Sequence, residues 1–395
     1  MERCNVITMP DPENLRIGIL GRIDSGNAND FANSIKMMRQ QHPEGDVILD
    51  CSGLEYISSA GLRVLLTLKK RENYPLKLIE VNRDVSSVLE VTGFIQIFDV
   101  TRALRDITGT EGEFLGKNGN VSFYQMESDT ILKVFWSETP LEAVERERKN
   151  AQAALLAGIP TLIAYDIVKC NNCYGMLYEM IQAKNAPVLM KASPRNMRTC
   201  SVAMGKLLKI IHSSMPEPDA LPQTRDIYIE WAQKMSKYYY PHEVKILLEL
   251  INSVPVGNNF VYGNFTAKNV FIRGDEAMVL NMSGLSCGNA LYDLGTCYMF
   301  HMGEAKLMSE IASELDVMQA NILWRNLIRA YYDDDEAKVI ASTDSIRAAS
   351  MLRSALAPAS YPMEDDMIEK FIKKARRDVF PAVRSLTNAL SKDIT

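Results

Sequence analysis

Residues 105–120, RDITGTEGEFLGKNGN, interrupt the chain with glycines and polar side chains, and the sequence on either side follows a different rhythm. Before this stretch, short apolar runs alternate with helix-like runs. LRIGILGRI (15–23) reads as a strand, DSGNANDFANSIKMMRQQ as a helix capped by Asp24 or Ser25, and DVILD (46–50) as a short buried strand. SAGLRVLLTLKKRE (59–72) sets Leu62, Leu65, Leu66 and Lys69 at helical spacing, and LKLIEV (76–81), DVSSVLEVTG (84–93) and IQIFDV (95–100) follow as strand, helix and strand. That alternation predicts an α/β domain with a mixed sheet and helices. After the stretch come strand-like VSFYQ and TILKVFW, helix-like ETPLEAVERERKNAQAALLAG, and strand-like LIAYDIV and YGMLYEMI, then mostly helical sequence. The expected division is a first domain over 1–108 and an α+β bilobal domain over 109–395, with a sheet lobe at about 112–182 and a helical lobe at about 183–395.

Composition removes several function classes. No run of about 18 apolar residues occurs, and the start, MERCNVITMPDPENLR, is polar with two prolines, which predicts neither a spanning helix nor a secretory signal and places the protein in the cytoplasm. A net charge of -5 is spread without a basic block, so neither nucleic acid nor an anionic membrane is an expected partner. Cys4, Cys51, Cys170, Cys173, Cys200, Cys287 and Cys297 are scattered as reduced thiols would be. Only Cys170 and Cys173 make a CxxC; with no second pair at zinc spacing, KCNNCYG reads as a hairpin turn and no metal is assigned to it.

VILDCSGLEYISSAGLRVLL places a strand, a short loop and a serine at the head of an amphipathic helix. This stretch, within about residues 6–105, resembles the signature of STAS-domain anti-sigma-factor antagonists. In that family an Asp-Ser-Ser/Thr-Gly element carries the phosphorylated serine directly after the Asp. The matching residues here are Ser58, Ser59, Ala60 and Gly61, so the resemblance implies Ser59 as phosphoacceptor, with Ser58 as runner-up. A helix N-terminus favours a phosphate there, whose charge of about -1.5 to -2 would disrupt docking on an apolar partner surface. The plainer role for either serine is a helix cap, and the two roles are compatible.

Further on, NNFVYGNFTAKNVFIRGDEAMVLNMSGLSCGNALYDLGTCYMF looks like the catalytic segment of aminoglycoside-phosphotransferase and choline-kinase-type enzymes, where His-Gly-Asp opens a loop, an Asn follows five residues after the Asp, and a second Asp follows a hydrophobic strand. The spacing is kept in Tyr262-Gly263-Asn264, Asn269 and Asn281, but both aspartates are asparagines. In phosphoryl transfer the loop Asp handles the acceptor hydroxyl proton, while the loop Asn and second Asp hold Mg²⁺. Asn264 cannot serve as a base, at a cost of roughly 10²–10⁴ in rate, and Asn281 removes a full charge from a metal site.

Across about residues 112–390 the resemblance also implies a nucleotide site. Lys133 would meet phosphates, Glu147 would be its helix partner with Glu145 as runner-up, and Gly116 and Gly119 would belong to a phosphate-covering loop. Glu179 and Met180, after Tyr178, fall at the hinge that meets adenine, and Asp293 in ALYDLG would brace the catalytic loop. Taken singly, a Lys or Glu here is more often a solvated charge. His212, at the end of an apolar helical stripe, reads as a C-terminal cap.

Together these readings imply a pseudokinase with ATP or ADP as ligand and Mg²⁺ disfavoured, fused to a STAS domain that binds an anti-sigma factor, a switch kinase or a phosphatase. The competing expectation is an active ATP-dependent phosphotransferase acting on its own STAS serine, another protein or a small hydroxyl-bearing substrate.

Overall fold

A computed structural model describes residues 5–70, 73–107, 112–118, 121–127, 129–135, 138–304 and 314–394. The chain divides into two compact units, 1–107 and 108–395.

The first unit is a five-stranded sheet in the order β1-β2-β3-β4-β5, built from Asn5–Met9, Leu15–Ile23, Val47–Ile57, Leu76–Val81 and Asp99–Arg102. β1 pairs antiparallel with β2, and the remaining neighbours pair in parallel. Parallel pairing demands crossovers, and α1 (Ala28–Gln41), α2 (Ser59–Lys70) and α3 (Arg83–Val91) supply them. Ile17, Ile19, Leu49 and Leu78 from the strands join Phe31, Leu62, Leu65 and Leu89 from the helices in one core. The mixed sheet with helices is as expected, with four local differences, the first being that the strand expected over 46–50 runs on to Ile57 and takes up the expected loop before Ser58. β1 was not anticipated, because NVITM is a largely exposed edge strand. α1 begins later than expected, at Ala28 with Asn27 as the flanking residue, because the Asp24 carboxylate instead accepts from the N–H groups of Gly26 and Asn27 in a local turn. Residues 94–96 form a single 3₁₀ turn after Gly93, which delays the last strand to Asp99.

In the second unit the strands Ala164–Cys170, Cys173–Glu179, Thr130–Phe135, Val121–Glu127 and Glu113–Asn118 lie in that spatial order, all antiparallel. Cys170 and Cys173 face each other across the tight end of the first hairpin, with Asn171 in the left-handed region at φ 55°. α4 (Leu141–Leu156) packs against this sheet. The helical lobe is organised by the long helices Pro194–Ser213, Val317–Tyr331 and Glu336–Ala355 around Leu291–Tyr298. Two small antiparallel sheets lie within it, one pairing Asn259–Val261 with Ser286–Gly288 and one ordering Lys184–Asn185, Val270–Arg273 and Glu276–Val279. A sheet lobe followed by a helical lobe is the two-lobed kinase-like plan expected from the sequence. Among the described residues no helix is long and apolar enough to cross a membrane.

Candidate functional site

At the head of α2 the two serines are distinguished by geometry. Ser58 is the cap: its carbonyl accepts from Leu62 N, its hydroxyl accepts from Gly61 N at 3.4 Å, and its own N–H donates to Ile23 O. Ser59, the first helical residue, is exposed. Gly61 must stay small, since a Cβ there would lie 2.7 Å from Ile23 Cγ2 and 2.8 Å from Ile57 Cγ1; that close approach seats the helix head on the strand ends. The division of roles is measurable by thermal or urea unfolding. Ser58→Ala should lower the stability of the first unit by roughly 0.5–1 kcal/mol, whereas Ser59→Asp, an acid in the first helical turn, should leave it unchanged or raise it by about 0.3 kcal/mol. A larger loss at Ser59 than at Ser58 would reverse the assignment.

In the second unit a chain of hydrogen bonds joins residues widely separated in sequence. Lys133, on the strand Thr130–Phe135, donates through Nζ to Glu147 Oε1 of α4 at 2.5 Å, and both side chains are under 5% exposed. Glu145, the runner-up, lies two residues away in a half-buried position, whereas Glu147 is buried. Lys133 Nζ also donates to Asn281 Oδ1 at 2.8 Å and lies over the Phe135 ring at 4.7 Å. Asn281 Nδ2 donates to Asn269 Oδ1 at 2.9 Å, and Asn269 Nδ2 to the Asn264 carbonyl at 3.0 Å. The Tyr178 hydroxyl, 3.5 Å from Glu147 Oε1, is pushed to a well raised pKa by burial and by that carboxylate.

The loop that carries Asn264 is held from beneath. Asp293, fully buried, accepts from Tyr262 N at 2.6 Å, from Gly263 N at 2.7 Å and from His212 Nε2 at 3.1 Å. The other ring nitrogen of His212 meets the Tyr331 hydroxyl at 2.9 Å. His212 is therefore no helix cap; its partners are on other helices, which an apolar stripe cannot reveal. Gly263 sits at φ +82°, where a Cβ would come within 2.5 Å of Gly284 O, so the turn requires glycine.

The remaining expected positions are placed differently. Gly116 lies within the strand Glu113–Asn118, opposite Phe123, and Gly119 lies outside the described residues. At the hinge, Glu179 N donates to Ile163 O and Met180 N to Asp129 O, while the Glu179 carboxylate accepts from Ile163 N at 2.9 Å, so these groups are engaged within the lobe. Between hinge and loop, Phe123, Ile131, Lys133, Leu162, Tyr178, Leu280 and Asn281 line a cavity of about 20 Å³, room for a single water and too little for a purine.

The donor set does not fit Mg²⁺. That ion is held through carboxylates and substrate phosphates, whereas residues 264, 269 and 281 are neutral amides; Asn281 Oδ1 accepts from Lys133 and Asn269 Oδ1 accepts from Asn281. Among the described residues no cluster of three His, Cys, Asp or Glu side chains is placed to hold a metal. The sequence offered no signal for Tyr361, whose hydroxyl donates to Asn264 Oδ1 at 3.0 Å across 97 residues of chain.

The first unit defines a STAS domain: the family model of that name matches residues 10–107. The chain belongs to the STAS-domain family through this unit. It is 35% identical over 101 residues, 25% of this chain and 86% of the relative, to BtrV of Bordetella bronchiseptica, described as an anti-sigma factor antagonist. The second unit is similar to a choline/ethanolamine kinase family protein from Mesorhizobium loti, with 15% identity, a TM-score of 0.49, and coverage of 72% of this chain and 94% of that one. It is also similar to the ADP-bound aminoglycoside phosphotransferase APH(2'')-Ib, with 11% identity, a TM-score of 0.44, and coverage of 70% and 93%.

Proposed function

We propose that the protein is a bacterial regulatory protein in which the STAS domain docks a protein partner of the anti-sigma or switch type, docking is controlled by phosphorylation of Ser59, and the kinase-like domain is catalytically impaired. The observation that carries the impaired reading is the hydrogen-bonded chain itself. Lys133 is balanced by Glu147, and the two positions where the resemblance expects carboxylates, 264 and 281, are uncharged asparagines bonded to their neighbours. Such a site lacks the carboxylate base and the carboxylate metal ligand that phosphoryl transfer uses. The Lys133–Glu147 pair and the Asp293-braced loop remain assembled, which supports ATP or ADP as a ligand that enters when the cleft opens and is bound without a divalent ion.

The test is thermal unfolding of the full chain with ATP or ADP, with and without Mg²⁺, because a ligand that binds only the native state raises its unfolding temperature. The expected result is a nucleotide shift unaltered by Mg²⁺, with Mg²⁺ dependence gained in Asn264→Asp/Asn281→Asp. A Mg²⁺-dependent shift in the native chain, accompanied by ATP-dependent phosphate on Ser59, would instead establish an active kinase. No shift at millimolar nucleotide would remove nucleotide from the proposal and leave the domain as a scaffold.

A further inference from the structure

We propose that Tyr361 is the resident occupant of the place an acceptor hydroxyl would take, closing the kinase-like domain to acceptor substrates with a segment of its own chain. The inference rests on the reading of Tyr262–Asn269 as a catalytic-type loop. In an active loop, the residue at position 264 would be a carboxylate accepting the proton of the substrate hydroxyl, at about 2.6–3.2 Å. Here a hydroxyl makes that same contact: Tyr361 Oη donates to Asn264 Oδ1 at 3.0 Å. Because an amide oxygen cannot take the proton away, the contact is a resting arrangement. Burial raises the pKa of the phenol and keeps it protonated as a donor.

The ring is held on several sides. It meets Phe300 edge-on at 5.5 Å between centroids, and the Arg353 guanidinium lies 5.0 Å from its centre. Arg353 is 1% exposed, covers the Trp231 ring at 4.6 Å and donates to Ser360 Oγ at 2.9 Å, so the residue before Tyr361 is fixed as well. Tyr361, Met363 and Met367 pack on a separate apolar cluster of Met299, Phe300, Ala357 and Phe371. The buried Nε of Arg353 has no hydrogen-bond partner.

Hydrogen exchange of the full-length protein, without nucleotide, tests the occupancy. Tyr361→Phe removes only the hydroxyl, and loss of one such bond should speed exchange of the backbone amides of residues 264–269 about threefold to tenfold. Tyr361→Ala should speed it more, with the amides of Leu15–Ile23 unchanged as a control for the other unit. If Tyr361→Ala also accelerates Pro194–Ser213, the helical lobe has loosened as a whole and the Phe variant alone decides. Exchange of 264–269 within about twofold of the native rate in Tyr361→Phe overturns the proposal. That outcome would leave impaired catalysis standing, since nucleotide and Mg²⁺ play no part in the measurement.

Discussion

Asp293→Ala should cost the kinase-like domain about 4 kcal/mol of stability, seen as an early transition in guanidinium unfolding while the STAS domain unfolds where it did before. The carboxylate receives three donors in a site with no exposure, the N–H groups of Tyr262 and Gly263 and the ring of His212. Removing it strands all three, and each buried group left without a partner costs about 1–3 kcal/mol. Asp293→Asn should recover only part of the loss, because its amide nitrogen presents a donor to donors. A loss under about 1 kcal/mol for the alanine variant would mean that the loop finds other acceptors and that Asp293 is not its brace.

Lys133→Met should cost about 3–5 kcal/mol in the same domain, because it leaves the Glu147 charge buried without its cation. Lys133→Met/Glu147→Leu should regain most of that loss, since an apolar pair of similar volume commonly replaces a buried ion pair at little cost. The comparison also bears on function. A lysine variant that fails to respond to nucleotide is informative only beside the double variant, which separates a lost ligand contact from a loosened lobe. Equal instability of the single and double variants would show that packing around the lysine stem, and not charge balance, is what the strand requires.

The order of elements in both units was legible because strand and helix periods are local. Of Leu62, Leu65, Leu66 and Lys69, which the sequence sets at helical spacing, Leu62 and Leu65 are buried in α2 beside Leu68, while Leu66 and Lys69 are half-buried. Glu147 was legible as the partner of Lys133 because family spacing reached it, although spacing alone did not separate it from Glu145; burial of Glu147 did. β1 escaped because an exposed edge strand lacks a clean alternation of apolar and polar residues. His212 and Tyr361 escaped for another reason: each gains its role from a partner 81 or 97 residues away, and one sequence carries no mark of such pairings. Glu179 and Met180 differed from expectation because the use of their N–H groups depends on the neighbouring segments at Ile163 and Asp129, which sequence spacing does not reveal.

The run of contacts from Glu147 through Lys133, Asn281, Asn269 and Asn264 to Tyr361 makes these six residues one linked unit. Each member satisfies the next, so a change at one residue alters the hydrogen-bonding needs of its neighbours, and substitutions along the run are expected to be non-additive. The run therefore ties the strand of Lys133 and α4 to the loop of Asn264 and the segment of Tyr361, so that a disturbance at one end is expected to be felt at the other.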